Sequence, residues 1–514
     1  MIPTRPRDPR ETPLRTVTEW LADELVEIRG SDPERTITGI TISSTRVVPG
    51  DLYVAPAGAR AHGASFAAQA VEAGAAAVLT DPAGEQLCAE VDVPVLVVER
   101  PRAVVGDLAA LVYGRPADEL TLVAVTGTQG KTTTTRLAEA ALTEAGVRAA
   151  VVGTVGTRVN GHDVPTSLTT PEAADLHGLF AVMVEEGVAA CAMEVSSHAL
   201  VMGRVDGVVF DVACFTNLGR DHLDFHADVE EYFQAKASLF TPQRARVGVV
   251  NVDDEHGRRL VDEATIPVRT LSTTTDTADW WVSDVVVEPA GSTFTVHTPA
   301  GDAVPARVPL TGDYNVANAL CAIAALGEAG FDPRLVADGL AATAGVPGRL
   351  ERVDAGQDFL AVVDYAHKPD AVQAALAALR PQVAPGGRLV IVLGAGGDRD
   401  PGKRPIMGET AARLADVLVV TDDNPRSEDA ATIRAAVLAG TEQVPAAERA
   451  EVVEEGDRRL AIRHAVAHAT AGDVVVVAGK GHETGQEVHG LVHPFDDREV
   501  LRDELTALRG ERAR

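Results

Sequence analysis

The stretch "LVAVTGTQGKTTTTRLAEAALTEAG", residues 122–146, decides the fold class of the chain. An apolar, strand-like run ends at Thr126, a glycine-rich turn follows, and residues that favour helices continue to Gly146. At such a junction, backbone N–H groups and the positive end of the helix dipole can surround phosphate oxygens. The order of these three parts therefore predicts an α/β domain that binds a nucleotide between a strand and a helix.

The turn carries the side chains that a phosphate loop uses, in a shorter arrangement than usual. Lys131 can reach the β- and γ-phosphates of a nucleotide, and the hydroxyl of Thr132 can bind Mg²⁺. The usual first glycine would stand at Val125, whereas this chain has its first glycine at Gly127. A glycine-rich turn that binds no ligand is the alternative. The loop residues that we predict to bind the nucleotide are Gly127, Thr128, Gln129, Gly130, Lys131, Thr132 and Thr133.

Apolar, strand-like runs alternate with Ala-, Leu- and Glu-rich helical stretches along almost the whole chain. This alternation is typical of α/β domains with mainly parallel sheets. The length of 514 residues suggests about three domains, and two stretches that contain Gly and Pro, 112–120 and 344–353, indicate joints. We place the domains at residues 1–116, 117–345 and 346–514, and we expect about the first 15 residues to be a mobile tail.

The composition limits the partners of the chain. Its net charge is −29, which disfavours binding to nucleic-acid phosphates or to an anionic membrane surface. No apolar stretch approaches the roughly 18 residues of a membrane span, so membrane insertion is not expected. The four cysteines are far apart and lack C-x-x-C spacing, which predicts reduced core residues rather than a metal site or disulfides. We expect a cytoplasmic protein that acts as a monomer.

Two polar clusters follow apolar runs in the middle of the chain. Glu194 and Ser196 follow "VAACAM", and His222 follows "VVFDVACF" after a short loop. In open α/β sheets, ligands bind beyond the carboxyl ends of the strands, where the phosphate loop also lies. A carboxylate and an imidazole beside nucleotide phosphates suit a Mg²⁺ ion. The alternative is that Glu194 caps the next helix and His222 is a satisfied core histidine.

Further motifs occur along the chain in a fixed order. They are "TGTQGKTT", "TTP", "EVSSHAL", "FTNLGRDHLDFH", "YFQAKASLF", "LTGDYNVANAL", "GRLE", "VDYAHKPD", "GAGGDRDPGKR", "DDNPR" and "GKGHE", within residues 126–483. On these motifs the sequence resembles the Mur ligase family, the ATP-dependent amide-forming enzymes of peptidoglycan precursor synthesis. The resemblance implies an N-terminal α/β substrate domain, a central P-loop ATPase-type domain with a mainly parallel sheet, and a C-terminal Rossmann-like domain.

Within that family, the sequence is similar to the branch that adds meso-diaminopimelate to the D-Glu γ-carboxylate of UDP-N-acetylmuramoyl-L-alanyl-D-glutamate. The resemblance implies ATP and two Mg²⁺ ions as cofactors and an acyl phosphate as the intermediate. Lys236, in "YFQAKASLF", matches the family lysine that forms a carbamate with CO₂, although its own sequence context suggests a surface lysine on an amphipathic helix. The implied catalytic residues are Lys131, Glu194, His222 and Lys236. The implied metal ligands are Thr132, Glu194, His222 and Lys236.

The resemblance also implies contacts to both nucleotides. For ATP, the positions beyond the phosphate loop are Asn318, Arg349, Asp364 and His367. For the UDP-linked substrate, the positions are Thr45, Arg60, His62, Thr169, Thr170, Ser196 and Arg204. Lys368 departs from the family pattern, in which threonine is common at this place.

Three polar loops follow apolar runs in the last domain: "LVIVLGAGGDRD", "VLVVTDDNPR" and "VVVVAGKGHE". Their positions at strand ends predict one shared site. Arg399 and Arg426 can hold carboxylates through paired N–H donors, while Asp423 and Glu483 can hold an ammonium group. In the family, "DNPR" marks the diaminopimelate-adding branch. The residues that we expect to bind the amino acid are Arg399, Asp423, Asn424, Pro425, Arg426, Gly479 and Glu483.

Three other functions stay open at this point. A ligase of the same family could add L-lysine or act on folate or a dipeptide, but Arg426 argues against lysine and "TTP" with "EVSSHAL" argues against folate. A nucleotide-binding module without synthesis would need no amino-acid pocket. An acidic scaffold with a vestigial nucleotide fold would not need to keep Lys131, Glu194, His222 and Lys236 together.

Overall fold

The computed structural model describes residues 4–30, 32–58, 61–166, 168–219, 221–222, 225–288, 291–310, 312–343 and 345–512. Across these residues the chain forms three large sheets, each built from a different part of the sequence, with helices packed against them. The predicted α/β class with mainly parallel sheets is confirmed.

The N-terminal sheet has the strand order β2-β7-β6-β5-β4, in which β2 is antiparallel and the other strands are parallel. The strands of this part of the chain are β1 (Thr12–Pro13), β2 (Leu25–Arg29), β3 (Thr36–Ile37), β4 (Gly39–Thr41), β5 (Asp51–Ala55), β6 (Ala77–Thr80) and β7 (Val95–Val98), and β1 and β3 pair in a separate two-stranded sheet. The helices are α1 (Leu14–Trp20), α2 (Ala67–Glu72), α3 (Pro82–Leu87) and α4 (Pro101–Val112). Short 3₁₀ turns at Ser44–Arg46 and Gly63–Phe66 follow β4 and β5.

The middle sheet has the order β11-β10-β9-β12-β8-β13-β14-β15-β16-β17-β18, parallel from β9 to β16 and antiparallel at both ends. Its strands are β8 (Thr121–Thr126), β9 (Ala149–Val152), β10 (Thr157–Val159), β11 (His162–Val164), β12 (Ala190–Glu194), β13 (Phe210–Phe215), β14 (Ala245–Asn251), β15 (Val268–Ser272), β16 (Trp280–Glu288), β17 (Gly291–His297) and β18 (Ala303–Val308). Its helices are α5 (Lys131–Glu144), α6 (Ala173–Glu185), α7 (Ser197–Val201), α8 (Val229–Ala237), α9 (Glu255–Glu263), α10 (Tyr314–Glu328) and α11 (Pro333–Ala342).

The C-terminal sheet has the order β19-β20-β24-β21-β22-β23, with β19 antiparallel and the rest parallel. The strands are β19 (Glu351–Arg352), β20 (Leu360–Asp364), β21 (Leu389–Leu393), β22 (Val417–Val420), β23 (Glu451–Glu454) and β24 (Val474–Ala478), and β25 (Gly485–Val488) and β26 (Leu491–Pro494) form a separate hairpin. The helices are α12 (Pro369–Leu379), α13 (Lys403–Leu414), α14 (Ala430–Thr441), α15 (Arg458–Ala467) and α16 (Asp497–Arg512).

Strand β8 reads as a continuous apolar run because both faces of the middle sheet are covered. Successive side chains of a strand point to opposite faces. Val123 and Val125 pack with residues of α5 and α10, whereas Leu122 and Ala124 pack with residues of α6 and α8. This double burial fixes the strand end from which the phosphate loop starts.

The prediction of a mobile N-terminal tail is wrong for residues 5–13. The Arg5 guanidinium pairs with Asp51, the backbone N–H of Arg7 donates to a Glu185 oxygen at 3.0 Å, and β1 pairs with β3. The Arg5 and Arg7 side chains, which made this segment look unstructured, instead pair with Asp51 and Glu186.

Two expectations from composition agree with the structure. All four cysteines are buried and free, as predicted. Every helix in the described ranges is too short or too polar to span a lipid bilayer.

A buried histidine on α6 predicts a pH-dependent stability. Burial lowers the pKa of His177 to about 4 from its usual 6.5. Between these values the unfolded chain binds the extra proton, so stability is complete above pH 6.5 and falls by on the order of 3 kcal/mol as the pH drops to 4. His177→Gln should make thermal unfolding less dependent on pH in this window. The control His162→Gln changes an exposed residue, and equal pH slopes for His177→Gln and wild type would contradict the assignment.

Candidate active site

A cavity of about 800 Å³ opens at the carboxyl ends of β8, β12 and β13 and is lined by both the middle and the C-terminal parts of the chain. Many sequence-predicted residues meet here, because the ends of parallel strands share one edge of a sheet. Those that line it are Thr128, Gln129, Gly130, Lys131, Thr132, Thr133, Thr169, Glu194, Ser196, Arg204, His222, Lys236, Asn318, Arg349, Asp364, His367 and Arg399. The phosphate-loop, metal-ligand and ATP candidates therefore share one space.

The phosphate loop is held in shape by side chains that follow β13. The backbone N–H of Gln129 donates to Asn217 Oδ1 at 2.9 Å, and Thr216 Oγ1 donates to the Gln129 carbonyl at 2.6 Å. Helix α5 begins at Lys131, directly after Gly130. The unpaired N–H groups of its first turn are thus at the loop, where an anion can accept from them.

Two lysines donate to the same backbone oxygen in this loop. Lys131 Nζ lies 2.7 Å from the Gly127 carbonyl oxygen, and Lys236 Nζ lies 3.0 Å from it. Burial lowers the pKa of Lys131 to about 8. Burial, with the nearby Lys131 charge, also lowers the pKa of Lys236 well below its usual value. The surface position that the helix pattern suggested for Lys236 is wrong, because its side chain is 1 % exposed and lies over the Tyr232 ring.

Glu194 is buried at the end of β12 and faces the cavity. Its two carboxylate oxygens accept from Thr154, one from the backbone N–H at 2.8 Å and one from the hydroxyl at 3.1 Å. It does not cap the next helix, because Ser196 Oγ accepts from the N–H of Ala199 and does so instead. Thr154 was missed at the sequence level, although a hydroxyl residue after Gly153 at the end of an apolar run was a usable signal.

His222 lies in the same cavity with a cross-domain ion pair beside it. Its Nε2 is 3.2 Å from Asp221 Oδ2, and Asp221 pairs with the ammonium group of Lys368 from the C-terminal part of the chain. Burial, opposed by Asp221, lowers the pKa of His222 to about 3, so its ring is neutral at neutral pH. A neutral imidazole keeps a lone pair that can bind a metal. Lys368, noted only as a departure from the family pattern, is therefore a site residue.

The C-terminal part of the chain closes the cavity from the other side. Arg349 Nη2 donates to Thr132 Oγ1 at 3.1 Å, which links the joint between domains to the phosphate loop. Asp364 is buried and accepts from the backbone N–H groups of Leu350 and Ala366, both at 2.8 Å. Its carboxylate therefore shapes the joint as well as lining the cavity. Asn318, on α10, donates to Asn315 Oδ1 at 3.0 Å.

The donors at the cavity fit a magnesium ion that is shared with nucleotide phosphates. Among the described residues, no three His, Cys, Asp or Glu side chains are grouped closely enough to hold a metal by themselves. The cavity does present the Thr132 hydroxyl, the Glu194 carboxylate and the neutral His222 ring. The Thr132 and Glu194 oxygens, completed by phosphate and water oxygens, would suit Mg²⁺, which is rarely held by an all-protein cage, and His222 adds a nitrogen donor.

A second cavity, of about 470 Å³, lies between the middle and C-terminal parts of the chain. It is lined by Asn424, Arg426 and Glu483 of the predicted amino-acid site, and it shares Thr154 with the larger cavity. Across this gap, His482 Nε2 lies 3.2 Å from the Thr154 carbonyl oxygen. The two cavities therefore border the same residue, Thr154, whose N–H and hydroxyl hold the Glu194 carboxylate.

The hairpin β25–β26 supports the loop that carries Arg426. The N–H of Arg426 donates to the Glu487 carbonyl at 3.0 Å, and the N–H of His489 donates to the Arg426 carbonyl at 2.7 Å. His489 and Gly490 both have positive φ, as a two-residue hairpin turn requires. The sequence reading missed this hairpin, although "EVHGLV" carries its turn signal.

The other residues that we predict to bind the amino acid differ in how far they are buried. Arg399 is exposed at the rim of the larger cavity. Asp423 and Pro425 are buried, and Gly479 lies so close to the Asp423 carboxylate that a side chain there would overlap it. Of these, Arg426 is the cation that faces the second cavity.

The residues that we predict to contact the UDP-linked substrate lie in different parts of the structure. Thr169, Ser196 and Arg204 line the larger cavity, while Thr170 is buried behind it and donates to the Glu194 carbonyl. The remaining described positions lie in turns of the N-terminal part of the chain, outside the two cavities: Thr45 contacts Ser43, and His62 Nε2 lies 3.0 Å from Asp81 Oδ1. Arg60 lies outside the described residues.

The sequence matches three descriptions of one family: "Mur ligase family, catalytic domain" over residues 36–113, "Mur ligase middle domain" over 125–326, and "Mur ligase, glutamate ligase domain" over 348–481. The chain belongs to the Mur ligase family. The three-domain Mur ligase architecture agrees with the three large sheets. The exact boundaries at 116/117 and 345/346 stay a prediction.

Two relatives and a solved structure cover almost the whole Mur ligase chain. The UDP-N-acetylmuramoyl-L-alanyl-D-glutamate--2,6-diaminopimelate ligase of Streptomyces coelicolor is 55 % identical over 509 residues, 99 % of each chain. The ligase of the same name from Corynebacterium glutamicum is 50 % identical over 482 residues, 92 % of each chain. A solved structure with this name matches with a TM-score of 0.67 at 33 % identity and covers 97 % of this chain and 100 % of its own. This Mur ligase is therefore an ATP-dependent amide-forming enzyme.

The packing of the phosphate loop predicts a specific defect. Gly130 has a φ of 87°, and an added Cβ would overlap the side-chain oxygen of Asn318. Gly130→Ala should therefore raise the KM for ATP at least about tenfold. The added Cβ would force either the phosphate loop or the Asn318 side chain to move. The control Gly146→Ala also has positive φ, at the far end of α5, but nothing lies within 4 Å of its added Cβ. Steady-state kinetics with equal KM values for the two variants would contradict this reading.

Proposed function

We propose that this Mur ligase joins meso-diaminopimelate to the D-Glu γ-carboxylate of UDP-N-acetylmuramoyl-L-alanyl-D-glutamate at the expense of ATP. The relatives that bear the name of this activity match over nearly their full length. The observation that carries the proposal is that the two cavities share Thr154 as a lining residue, so the space lined by the phosphate-loop residues borders a space that contains Arg426.

In the first step, a γ-carboxylate oxygen of D-Glu attacks the γ-phosphorus of ATP, and the bond to ADP breaks. Lys131 and the N–H groups at the start of α5 hold the phosphates. Because the attacking group and the nucleotide are both anions, stabilising charge in a water-poor space lowers the barrier. Arg349 reaches the same loop from the C-terminal part, so closure of the domains would complete the site and exclude water from the acyl phosphate.

Two Mg²⁺ ions would be held by Thr132, Glu194, His222 and Lys236, and when bound they would neutralise phosphate and carboxylate charge. Lys236 fits the carbamate role because burial favours its neutral amine, which is the form that reacts with CO₂. The carbamate would turn this position from a cation into an oxygen ligand.

In the second step, an amine of meso-diaminopimelate attacks the acyl-phosphate carbonyl, an amide bond forms and phosphate leaves. The activated carboxyl group and the amine would meet beside Thr154, which borders both cavities. Arg426, at the second cavity, would hold the carboxylate at the far end of the amino acid. L-Lysine has no carboxylate at that end, which disfavours the lysine-adding alternative.

Each proposed domain would bind one of the three substrates. Residues 1–116 would hold the UDP-linked substrate, 117–345 the nucleotide and 346–514 the amino acid. We further propose that the enzyme acts in the cytoplasm, where ATP is supplied, and as a monomer, because residues of one chain line both cavities.

The activity has a direct test in phosphate release from ATP with Mg²⁺ and UDP-N-acetylmuramoyl-L-alanyl-D-glutamate. Release should depend on meso-diaminopimelate and be at least about tenfold slower with L-lysine at equal concentration, because lysine has no far carboxylate for Arg426 to bind. Release with lysine but not with meso-diaminopimelate would overturn the choice of amino acid. Release that needs no amino acid would favour a nucleotide hydrolase or binding module.

Removal of the Arg426 side chain should affect one substrate only. Arg426→Ala should raise the KM for meso-diaminopimelate by an amount that corresponds to about 2–5 kcal/mol, since it removes a partly buried arginine–carboxylate contact. The KM for ATP should change less than about twofold, because Arg426 lines the second cavity and not the first. Arg413→Ala, on the exposed side of α13, is the control. An unchanged KM for meso-diaminopimelate would contradict the proposed role of Arg426.

A further inference from the structure

A carboxylate at the larger cavity contacts a lysine of one domain and a histidine of another. The ammonium group of Lys368, from the C-terminal part of the chain, pairs with Asp221 Oδ2. The same carboxylate oxygen lies 3.2 Å from His222 Nε2. The other oxygen, Asp221 Oδ1, accepts from the backbone N–H of His222 at 2.9 Å. Asp221 therefore links a cation of the C-terminal domain to both the backbone and the ring of His222.

The ion pair between Lys368 and Asp221 is largely shielded from water. The side chain of Asp221 is 12 % exposed and that of Lys368 is 23 % exposed. Partly buried charges are screened much less by salt and water than charges on the open surface. Removal of the Lys368 charge would leave a mostly buried carboxylate without its cation, which is costly. The place of the Asp221 carboxylate therefore depends on Lys368.

The backbone of Lys368 is fixed to the C-terminal domain. Lys368 is the residue directly before α12, and its carbonyl accepts from the N–H of Val372 at 2.9 Å. The carbonyl of the preceding residue, His367, accepts from Lys403 Nζ at 3.0 Å. Lys368 thus moves together with the C-terminal domain. Its ammonium group reaches Asp221 only when that domain lies against the phosphate-loop domain.

His222 is held in a backbone conformation that few residues with a side chain adopt. Its φ is 53°, in the left-handed region. Its carbonyl accepts from the N–H of His226 at 2.9 Å, and its ring makes an edge contact with the ring of His198, with centroids 4.7 Å apart. Such a conformation persists only when the surrounding structure holds it in place. The direction of the His222 ring is therefore set by its neighbours, and Asp221 is a neighbour that faces one of its nitrogens.

We propose that Lys368 is a positioning residue, which through Asp221 orients the His222 ring for a divalent cation when the C-terminal domain closes. A histidine that binds a metal commonly donates its other ring N–H to a carboxylate, which fixes the tautomer and the direction of the ring. Asp221 supplies this carboxylate, and Lys368 holds it. The inference rests on the proposed role of His222 as a metal ligand. It adds that cation binding and domain closure favour each other, since such coupling is reciprocal.

The test detects the cation itself through Mn²⁺, which takes the same kinds of ligand as Mg²⁺ and gives an electron spin resonance signal. Pulsed measurements of this signal show whether an imidazole nitrogen is bound to the ion. The full enzyme is measured with UDP-N-acetylmuramoyl-L-alanyl-D-glutamate and AMP-PCP, an unreactive ATP analogue without nitrogen in its phosphate chain. The variants are Lys368→Met, Lys368→Arg, Asp221→Asn and the double variant Lys368→Met/Asp221→Asn. Lys403→Met is the matched control, because that lysine contacts the His367 carbonyl instead of Asp221.

The wild-type enzyme should show a nitrogen signal that His222→Ala loses. Lys368→Met should raise the Mn²⁺ concentration that half-saturates this signal about tenfold or more, while Lys368→Arg and Lys403→Met stay within about threefold of wild type. Because Lys368 acts through Asp221, the double variant should bind Mn²⁺ no more weakly than Asp221→Asn alone.

An unchanged half-saturation in Lys368→Met, or losses in the two single variants that multiply in the double variant, would overturn the positioning role of Lys368. A wild-type enzyme without a nitrogen signal, or a signal that His222→Ala keeps, would instead overturn the proposed metal ligand His222 and this inference with it. The two failures are therefore distinguishable in the same experiment.

Discussion

The hydrogen bonds from Lys131 and Lys236 to one oxygen, the carbonyl of Gly127, set the main constraint on this structure. Two ammonium groups this close together repel each other unless an anion joins them or one of them loses its charge. Burial lowers the pKa of both lysines, and the nearby Lys131 charge lowers the pKa of Lys236 further. A triphosphate would offset the repulsion from the cavity side, and a carbamate on Lys236 would remove one charge and add an oxygen ligand. The proposed nucleotide and metal binding would both relieve this repulsion.

Because the net charge of the chain is −29, a local cluster of basic side chains is stronger evidence for an anionic ligand than it would be in a basic protein. Basic groups are collected where phosphates would lie, and Arg349 and Lys368 bring more from the C-terminal part of the chain. Lys368 pairs with Asp221 across the gap, and His482 meets the Thr154 carbonyl. The same contacts that bring the domains together would therefore also close the space in which the proposed acyl phosphate is kept from water.

Much of this site could be predicted from local patterns. The run from Leu122 to Gly146 forms the expected strand, turn and helix, because helix propensity, glycine positions and apolar burial all agree there. Glu194 and His222 could be placed at the cavity because parallel strands present their ends at one edge. The Mur ligase motifs then implied catalytic and binding roles for residues whose spacing alone indicates none, above all for Lys236.

What could not be predicted depends on contacts between distant parts of the chain. The burial of Lys236 results from the packing of α8 against the phosphate loop, and the pairing of Lys480 with Glu483 and Asn424 lies inside the C-terminal fold. The N-terminal arginines looked unstructured because their carboxylate partners are far away in sequence. Short, half-exposed elements such as the hairpin β25–β26 carry too weak an apolar pattern to predict from periodicity.

The measurement that tests the central claim most directly follows one oxygen atom. The UDP-linked substrate is labelled with ¹⁸O in the D-Glu γ-carboxylate, and the phosphate released during synthesis is analysed by mass spectrometry. If this carboxylate attacks the γ-phosphorus beside Lys131, one labelled oxygen moves into each phosphate when the amide forms. Released phosphate without the label would mean that the carboxylate never joined the phosphoryl group, and it would contradict the account.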